Sequence, residues 1–217
     1  MRILFLSQLI PWPLDAGPKV RSYYVLRHLA EAGHEVTLLA FSRESDAAAS
    51  IDHLRGFCAA VHTVPMRRSR ARDAWHFGRS LLTGTPFLIA RDSVAAMTRK
   101  AGELAAGGTD AIHADQLWMA QYALSAAQAV PDQSPLLVLD QHNAMYLIPQ
   151  RLAESAAGPV PRALLRREAA LMRRYEADTC SRFNDIVWVT AEDRDAVSLP
   201  DSPASPRSHV IPICVDP

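Results

Sequence analysis

MRILFLSQLIPWPLDAGPKVRSYYVLRHLAEAGHEVTLLAF, residues 1–41, decides the fold. Residues 3–7 form a short apolar run closed by Ser7, the pattern of a strand covered on both faces in a parallel sheet. Turn formers follow: Pro11, Pro13, Asp15, Gly17 and Pro18. Residues 19–32 then carry Tyr23, Leu26, Leu29 and Ala30 on one helical face. Gly33 stands where a glycine just past a helix would stop it. Residues 35–41 read as a second strand. Strand, helix and strand make a βαβ unit with a right-handed crossover.

Outward from there the alternation continues. Strands are predicted at 61–65, 111–114, 136–140, 186–189 and 210–213. Helices are predicted at 47–59, 71–82, 90–106, 117–130, 162–182 and 191–198. Strands separated by helices predict an α/β fold, a doubly wound, mostly parallel, Rossmann-like sheet with helices on both faces. One linker-like stretch rich in Pro and Ser covers 199–208.

The chain has 217 residues, 49% apolar and 21% charged, enough to bury a sizeable core. Lys+Arg and Asp+Glu balance at 23 each, so the chain as a whole has no electrostatic pull on nucleic acid. No apolar run approaches the roughly 20 residues of a membrane span, and the N-terminus lacks a signal-peptide cleavage site. Cys58, Cys180 and Cys214 are far apart and form no CxxC, which disfavours a disulfide framework or a zinc site and fits a reducing cytoplasm.

A doubly wound sheet places its site at the carboxyl ends of the strands. The loops there, 8–18, 115–118 and 141–149, gather Asp15, Lys19, Arg21, His113, Asp115, Gln116, Gln141, His142 and Asn143. The first loop lacks G-x-G-x-x-G, yet Gly17 before a helix start leaves backbone N–H groups open to a phosphate; a plain strand-to-helix turn is the simpler reading. Lys19 and Arg21 oppose the helix dipole, which favours an anionic ligand. His113 and Asp115, two apart on a strand, point to one side. Asp140-Gln141-His142-Asn143 suits sugar hydroxyls or general-base work, or is simply a polar loop capped by Asp140. No spacing supplies a metal ligand set, and no GxSxG elbow is present.

Glu168 and Glu176 match E-x7-E, but eight helical residues separate them by about 12 Å, too far to serve one reacting carbon. Glu168 falls in the apolar stripe Leu164, Leu165, Leu171, Met172, Tyr175, so an ion pair with an arginine, Arg21 for choice, is expected. Arg162, Arg166, Arg167, Arg173 and Arg174 take the opposite face. Residues 66–79 carry Arg67, Arg68, Arg70, Arg72 and Arg79 among Trp75 and Phe77, with Leu81 and Leu82 just beyond. Such a stretch is a solvated arginine face over a core-packed apolar face, or a helix lying on an anionic membrane.

Taken together, residues 1–41, DAIHADQLWMA (110–120), LVLDQHNAMY (137–146), RYEADTCSRFNDIVWVTAEDRDAV (174–197) and HVIPICVDP (209–217) resemble family 4 glycosyltransferases of the GT-B fold, in the same order along nearly the whole chain. The resemblance implies the N-terminal, acceptor-binding Rossmann-like domain over 1–209. Residues 210–217 would start the linker to a C-terminal domain that binds the nucleotide-sugar and carries the catalytic E-x7-E pair. It also implies retention of anomeric configuration, no metal, no further cofactor, and a fragment inactive alone. Partners would be a nucleotide-sugar and a sugar or lipid-linked acceptor; apart from the resemblance, the basic stretch 66–79 leaves contact with an anionic membrane at its inner face open, and the balanced charge argues against nucleic acid. Ala16, Gly17, Lys19 and Arg21 correspond to the donor-diphosphate loop, with Ala16 where a first glycine is usual. Asp15, His113, Asp115, Gln116, Gln141, His142 and Asn143 fall to the acceptor side, with Asp115 where many relatives have histidine. A free-standing glycan- or protein-binding module, and an epimerase-like GT-B protein, are the alternatives.

Overall fold

The computed structural model describes residues 1–199 and 205–213. Seven strands form one sheet in the order β3-β2-β1-β4-β5-β6-β7, every neighbouring pair parallel. They are β1 (Arg2–Ser7), β2 (Glu35–Ser42), β3 (Ala60–Pro65), β4 (Ala111–Asp115), β5 (Leu136–Gln141), β6 (Asp185–Trp188) and β7 (Arg207–Val210). The helices are α1 (Gly17–Glu31), α2 (Ala48–Arg55), α3 (Arg70–Thr83), α4 (Phe87–Arg91), α5 (Ala95–Ala106), α6 (Leu117–Gln128), α7 (Leu147–Ser155), α8 (Pro159–Cys180) and α9 (Ala191–Ala196). This is the doubly wound fold expected, and the strand order reverses direction between β1 and β4.

Alternation along β1 divides the core. Ile3 and Phe5 pack with Tyr23 and Leu26 of α1 and Leu54 of α2. Leu4 and Leu6 pack on the other face with Met97 of α5 and with Met119, Ala120 and Ala123 of α6. Both faces are covered, which is why residues 3–6 of the strand are apolar without a break. Gly33, at φ +82°, ends α1 as expected, its N–H donating to the Ala30 carbonyl.

Several elements depart from the expected pattern. The helix expected at 90–106 is two helices. The Tyr122 hydroxyl accepts from the Val94 N–H at 2.9 Å and donates to the Asp92 carbonyl, taking over backbone groups that a continuous helix would pair. Helix α7 lies partly in the expected loop 141–149; Pro149, which closes that loop, falls in the first turn of the helix, where a proline is tolerated. Helix α8 begins at Pro159, three residues early, because Pro159 and Pro161 suit a helix start. The last strand is Arg207–Val210 rather than 210–213, so Arg207 and Ser208 belong to the sheet and not to a linker. Residues 200–204, half of the linker-like stretch, and Cys214 lie outside the described residues; Cys58 and Cys180 are free and buried.

Glu168 is not paired with an arginine. Its two oxygens accept from the Phe87 and Leu88 N–H groups at 3.0 Å each, capping the start of α4 from another helix. The arginines of α8 are not all solvated either. Arg167 donates to the Ser80 carbonyl at 2.6 Å, and the Arg173 guanidinium lies 4.8 Å from the Tyr146 ring centre.

Candidate functional site

Strand β1 ends at Ser7 and β4 at Asp115, at the point where the strand order reverses; in open α/β sheets ligands bind in that crevice. Ser7 Oγ and, from α1, Ser22 Oγ both donate to Asp115 Oδ2, at 2.9 and 2.7 Å. His142, from the loop after β5, sets its Nε2 2.9 Å from Asp115 Oδ1. Beside it, Arg21 of α1 directs Nε and Nη2 at Asp140 Oδ1, each at 2.8 Å, while Nη1 donates to the Ile211 carbonyl at 2.8 Å. His113 stacks flat on Phe5, ring centres 4.4 Å apart, with Nε2 3.8 Å from Asp140 Oδ2. His113 and Asp115 do share one side of β4, the side that α1 covers.

Charge in this cluster is nearly self-balanced. Burial holds the His113 imidazole below its ordinary pKa, although Asp140 and Asp115 pull the other way. Burial would also lower His142, but the adjacent Asp115 carboxylate outweighs it and the pKa is raised. Asp115 is itself held low: burial opposes its ionisation, and the contacts with His142 and Ser22 win. With His142 protonated, two carboxylates face one guanidinium and one imidazolium, the arrangement that makes buried charge tolerable. His113 Nε2, His142 Nε2 and Asp115 Oδ1 are nonetheless buried without a well-aligned hydrogen bond. Asp115, Asp140 and His142 offer donor atoms within 4.8 Å of one another, a spacing a cation can use, but one there would compete with Arg21 for Asp140.

The residues read from the sequence as a site do not all come together. Arg21, His113, Asp115 and His142 meet, all buried. Asp15, Ala16 and Gly17 lie exposed at the start of α1, with Lys19 folded back 2.9 Å onto Asp15. A Cβ on Gly17 would meet nothing within 4 Å, so the fold itself asks for no glycine there. That loop is pinned from below, where Trp12 stacks 3.9 Å from His53, which in turn contacts the Tyr23 hydroxyl at 3.0 Å. Asn143 is exposed at the rim, whereas Gln141, one residue before His142 on the strand side, turns to the opposite face of the sheet.

Gln116 sits between β4 and α6 at φ +72°, a left-handed value that costs a non-glycine residue about 1–3 kcal/mol. Its N–H donates to the Asp140 carbonyl and its carbonyl accepts from Met119, so the strained turn locks β4, β5 and α6 together. Gln116→Gly is expected to raise stability by about 1 kcal/mol, net of the flexibility it adds to the unfolded chain. A urea melt with an unchanged slope checks it.

Three contributors escaped the sequence reading: Ser7, Ser22 and, above all, Glu176. Glu176 is fully buried on α8 and accepts from Gln141 Nε2 at 2.6 Å, Met145 N at 2.8 Å and Tyr146 N at 3.2 Å. It therefore holds both ends of the loop that presents His142. Burial pushes its pKa up to about 7, against the lowering effect of the three donors. Its buried position was legible in part, since it lies four residues from both Met172 and Cys180. A second polar feature opens at the carboxyl ends of β2 and β3, a cleft of 660 Å³ lined by Arg43, Glu44, Met66, Arg67 and Arg68.

No known family model matches the sequence, and no curated protein matches it. Solved structures do share the fold. A UDP-glucosyltransferase from Polygonum tinctorium capable of glucosylating indoxyl superposes with a TM-score of 0.51 at 10% identity, covering 97% of this chain and 52% of that one. Phytolacca americana UGT2, complexed with UDP-2-fluoro-glucose and pterostilbene, gives 0.57 at 13% identity, covering 100% of this chain and 55% of that one. The chain thus spans about half the length of these structures, and its architecture is that of one half of a GT-B fold.

Proposed function

We propose that the chain is the acceptor-binding, N-terminal half of a glycosyltransferase that moves a sugar, a hexose by preference, from a nucleotide-sugar to a glycan or lipid-linked acceptor. The observation that carries this is the Asp115–His142 and Arg21–Asp140 cluster at the strand reversal of a sheet shaped like half a GT-B enzyme. Asp115 and His142, with His113 behind them, offer the paired acceptors and donors that bind sugar hydroxyls. The exposed helix start at Ala16 and Gly17, with Lys19 alongside, is the element to approach the donor diphosphate through backbone N–H groups. The sequence resemblance to family 4 favours retention, in which the departing diphosphate oxygen takes the acceptor's proton and no protein base is needed. Donor chemistry and the catalytic carboxylates would then lie in a second domain, and the 217-residue chain would turn over nothing alone.

The His142–Asp115 contact favours a second mechanism on the same assignment. An imidazole oriented by a carboxylate is the arrangement of a general base; in its neutral form His142 would take the acceptor proton, becoming the imidazolium that Asp115 stabilises, and configuration would invert. Proton NMR of the product's anomeric coupling decides between the two.

The experiment is a screen of the full-length protein with nucleotide-sugars and acceptors, followed by Asp115→Asn and His142→Gln. Each substitution is expected to raise the acceptor KM about tenfold, the worth of roughly one hydrogen bond, and to leave the donor KM within about twofold. Transfer with an unchanged acceptor KM in both variants overturns the assignment.

A further inference from the structure

Helix α3 is built inside out. The side that packs on the protein carries His76 and Ser80, both buried. The side that faces outward carries Ala71, Trp75, Gly78 and Leu82, spaced four, three and four apart, with Leu81 beside them. Trp75 is 61% and Leu82 89% exposed. Thus the expected core-packed apolar face points away from the core. Arg72 and Arg79 border the stripe on one side and Arg70 on the other; Arg79 also lies 5.7 Å from the Trp75 ring centre. Among the described residues Arg67, Arg70, Arg72 and Arg79 have no carboxylate partner, and Asp73 is the one acid in α3.

The apolar surface does not stop at the helix. On its Phe77 side a groove of 260 Å³, almost wholly apolar, opens between α3, α4, α7 and α8, lined by Phe77, Phe87, Leu88, Ile148, Leu152 and Leu164. Ile148, Leu152 and Leu164 are themselves exposed. A contiguous apolar patch with a charged border marks an interaction site rather than an ordinary surface. What sets the occupant is charge. An apolar stripe flanked by unpaired arginines, with aromatic and leucine side chains at its crest, is complementary to a bilayer whose surface is anionic and whose interior is not. No helix among the described residues is long and apolar enough to cross a membrane, so the contact is one of lying on the surface.

We propose that α3 and the adjoining groove dock the chain onto an anionic membrane surface, with Trp75, Leu81 and Leu82 entering the headgroup boundary and the flanking arginines meeting lipid phosphates. Helix α3 follows β3 at the carboxyl end of the sheet, beside the cleft of Arg43, Arg67 and Arg68. A docked chain would therefore hold that end near the bilayer. The docking does not depend on the glycosyltransferase assignment, because it is read without donor or acceptor.

The test is co-sedimentation of the purified chain with vesicles of phosphatidylcholine alone and of phosphatidylcholine with phosphatidylglycerol. Binding is expected only with phosphatidylglycerol, and should fall at least about tenfold when salt shortens the Debye length to about 3 Å. Trp75→Glu combined with Leu82→Glu should cut vesicle partitioning by about tenfold or more, with far-UV circular dichroism and melting midpoint unchanged, since both side chains are exposed. Arg70→Gln with Arg79→Gln should lower the preference for anionic lipid and spare the fold. Absence of vesicle binding at low salt overturns the proposal, as does wild-type binding by the Trp75→Glu, Leu82→Glu variant. So does a dimer that dissociates on the same substitutions while neither form binds lipid, which would make the patch a self-association surface.

Discussion

Replacing Arg21 by methionine is expected to cost about 3–5 kcal/mol of folding free energy, the penalty for stranding a buried charge. Arg21 and Asp140 are both nearly inaccessible, and three guanidinium contacts at 2.8 Å hold Asp140 and the Ile211 carbonyl at once. Methionine fills much of the space and supplies none of the donors, so Asp140 is left with His113, 3.8 Å away and held below its ordinary pKa by burial, and with the His142 ring, which is engaged by Asp115. Arg21→Lys should fall between, because an ammonium keeps the charge but cannot reach an oxygen of Asp140 and a carbonyl together. Arg21→Met with Asp140→Asn should recover a large part of the loss, since the uncompensated carboxylate is gone. Urea unfolding at constant slope measures all three. A loss under about 0.5 kcal/mol in Arg21→Met would mean that water already solvates Asp140 and that the pair is an ornament of a wet cleft.

The same pair marks where sequence reasoning reaches and where it stops. Period-two alternation put His113 and Asp115 on one side of β4, and the carboxyl-end rule put them with His142; both follow from local geometry. Arg21 and Asp140 are 119 residues apart, and no periodicity says which carboxylate an arginine will choose. The reading gave Arg21 to Glu168, but Glu168 found two backbone N–H groups instead, a class of partner that is invisible until α4 is folded against α8. Gln141 shows the converse limit. Adjacent to His142 in sequence, it was grouped with it, yet one step along a strand reverses the face, and its amide serves α8 rather than the crevice. The split of α4 from α5 rests on a single tyrosine hydroxyl from α6, a tertiary contact that overrides helix propensity. In α3 the pattern itself was legible, but periodicity does not say whether an apolar stripe faces a core or something outside the chain.

Glu176 yields the second large effect. Glu176→Ala is expected to cost about 3–5 kcal/mol, because it leaves the Met145 and Tyr146 N–H groups and the Gln141 amide without an acceptor in a buried site. The pH dependence is more discriminating. The folded-state pKa, raised to about 7 by burial, stands above the unfolded value of 4.5. The folded protein therefore binds this proton more tightly, and the stability it contributes is complete below about pH 4.5 and lost as pH rises through about 7. Integrated over that window the change is about 3 kcal/mol. The protonated acid needs an acceptor, and Gln141 Oε1, buried and unpartnered, becomes one if the amide turns over. Asp115 and Asp185, both held low, act in the opposite sense and lose stability as pH falls through their folded values. The measurement is therefore a difference: unfolding free energy of the wild type minus that of Glu176→Gln, which keeps the shape and removes the titration. That difference should fall by about 3 kcal/mol from about pH 4 to about pH 8. A flat difference would mean that the three donors, not burial, set the charge of Glu176. In that case the loop bearing His142 is held by an anion at every working pH.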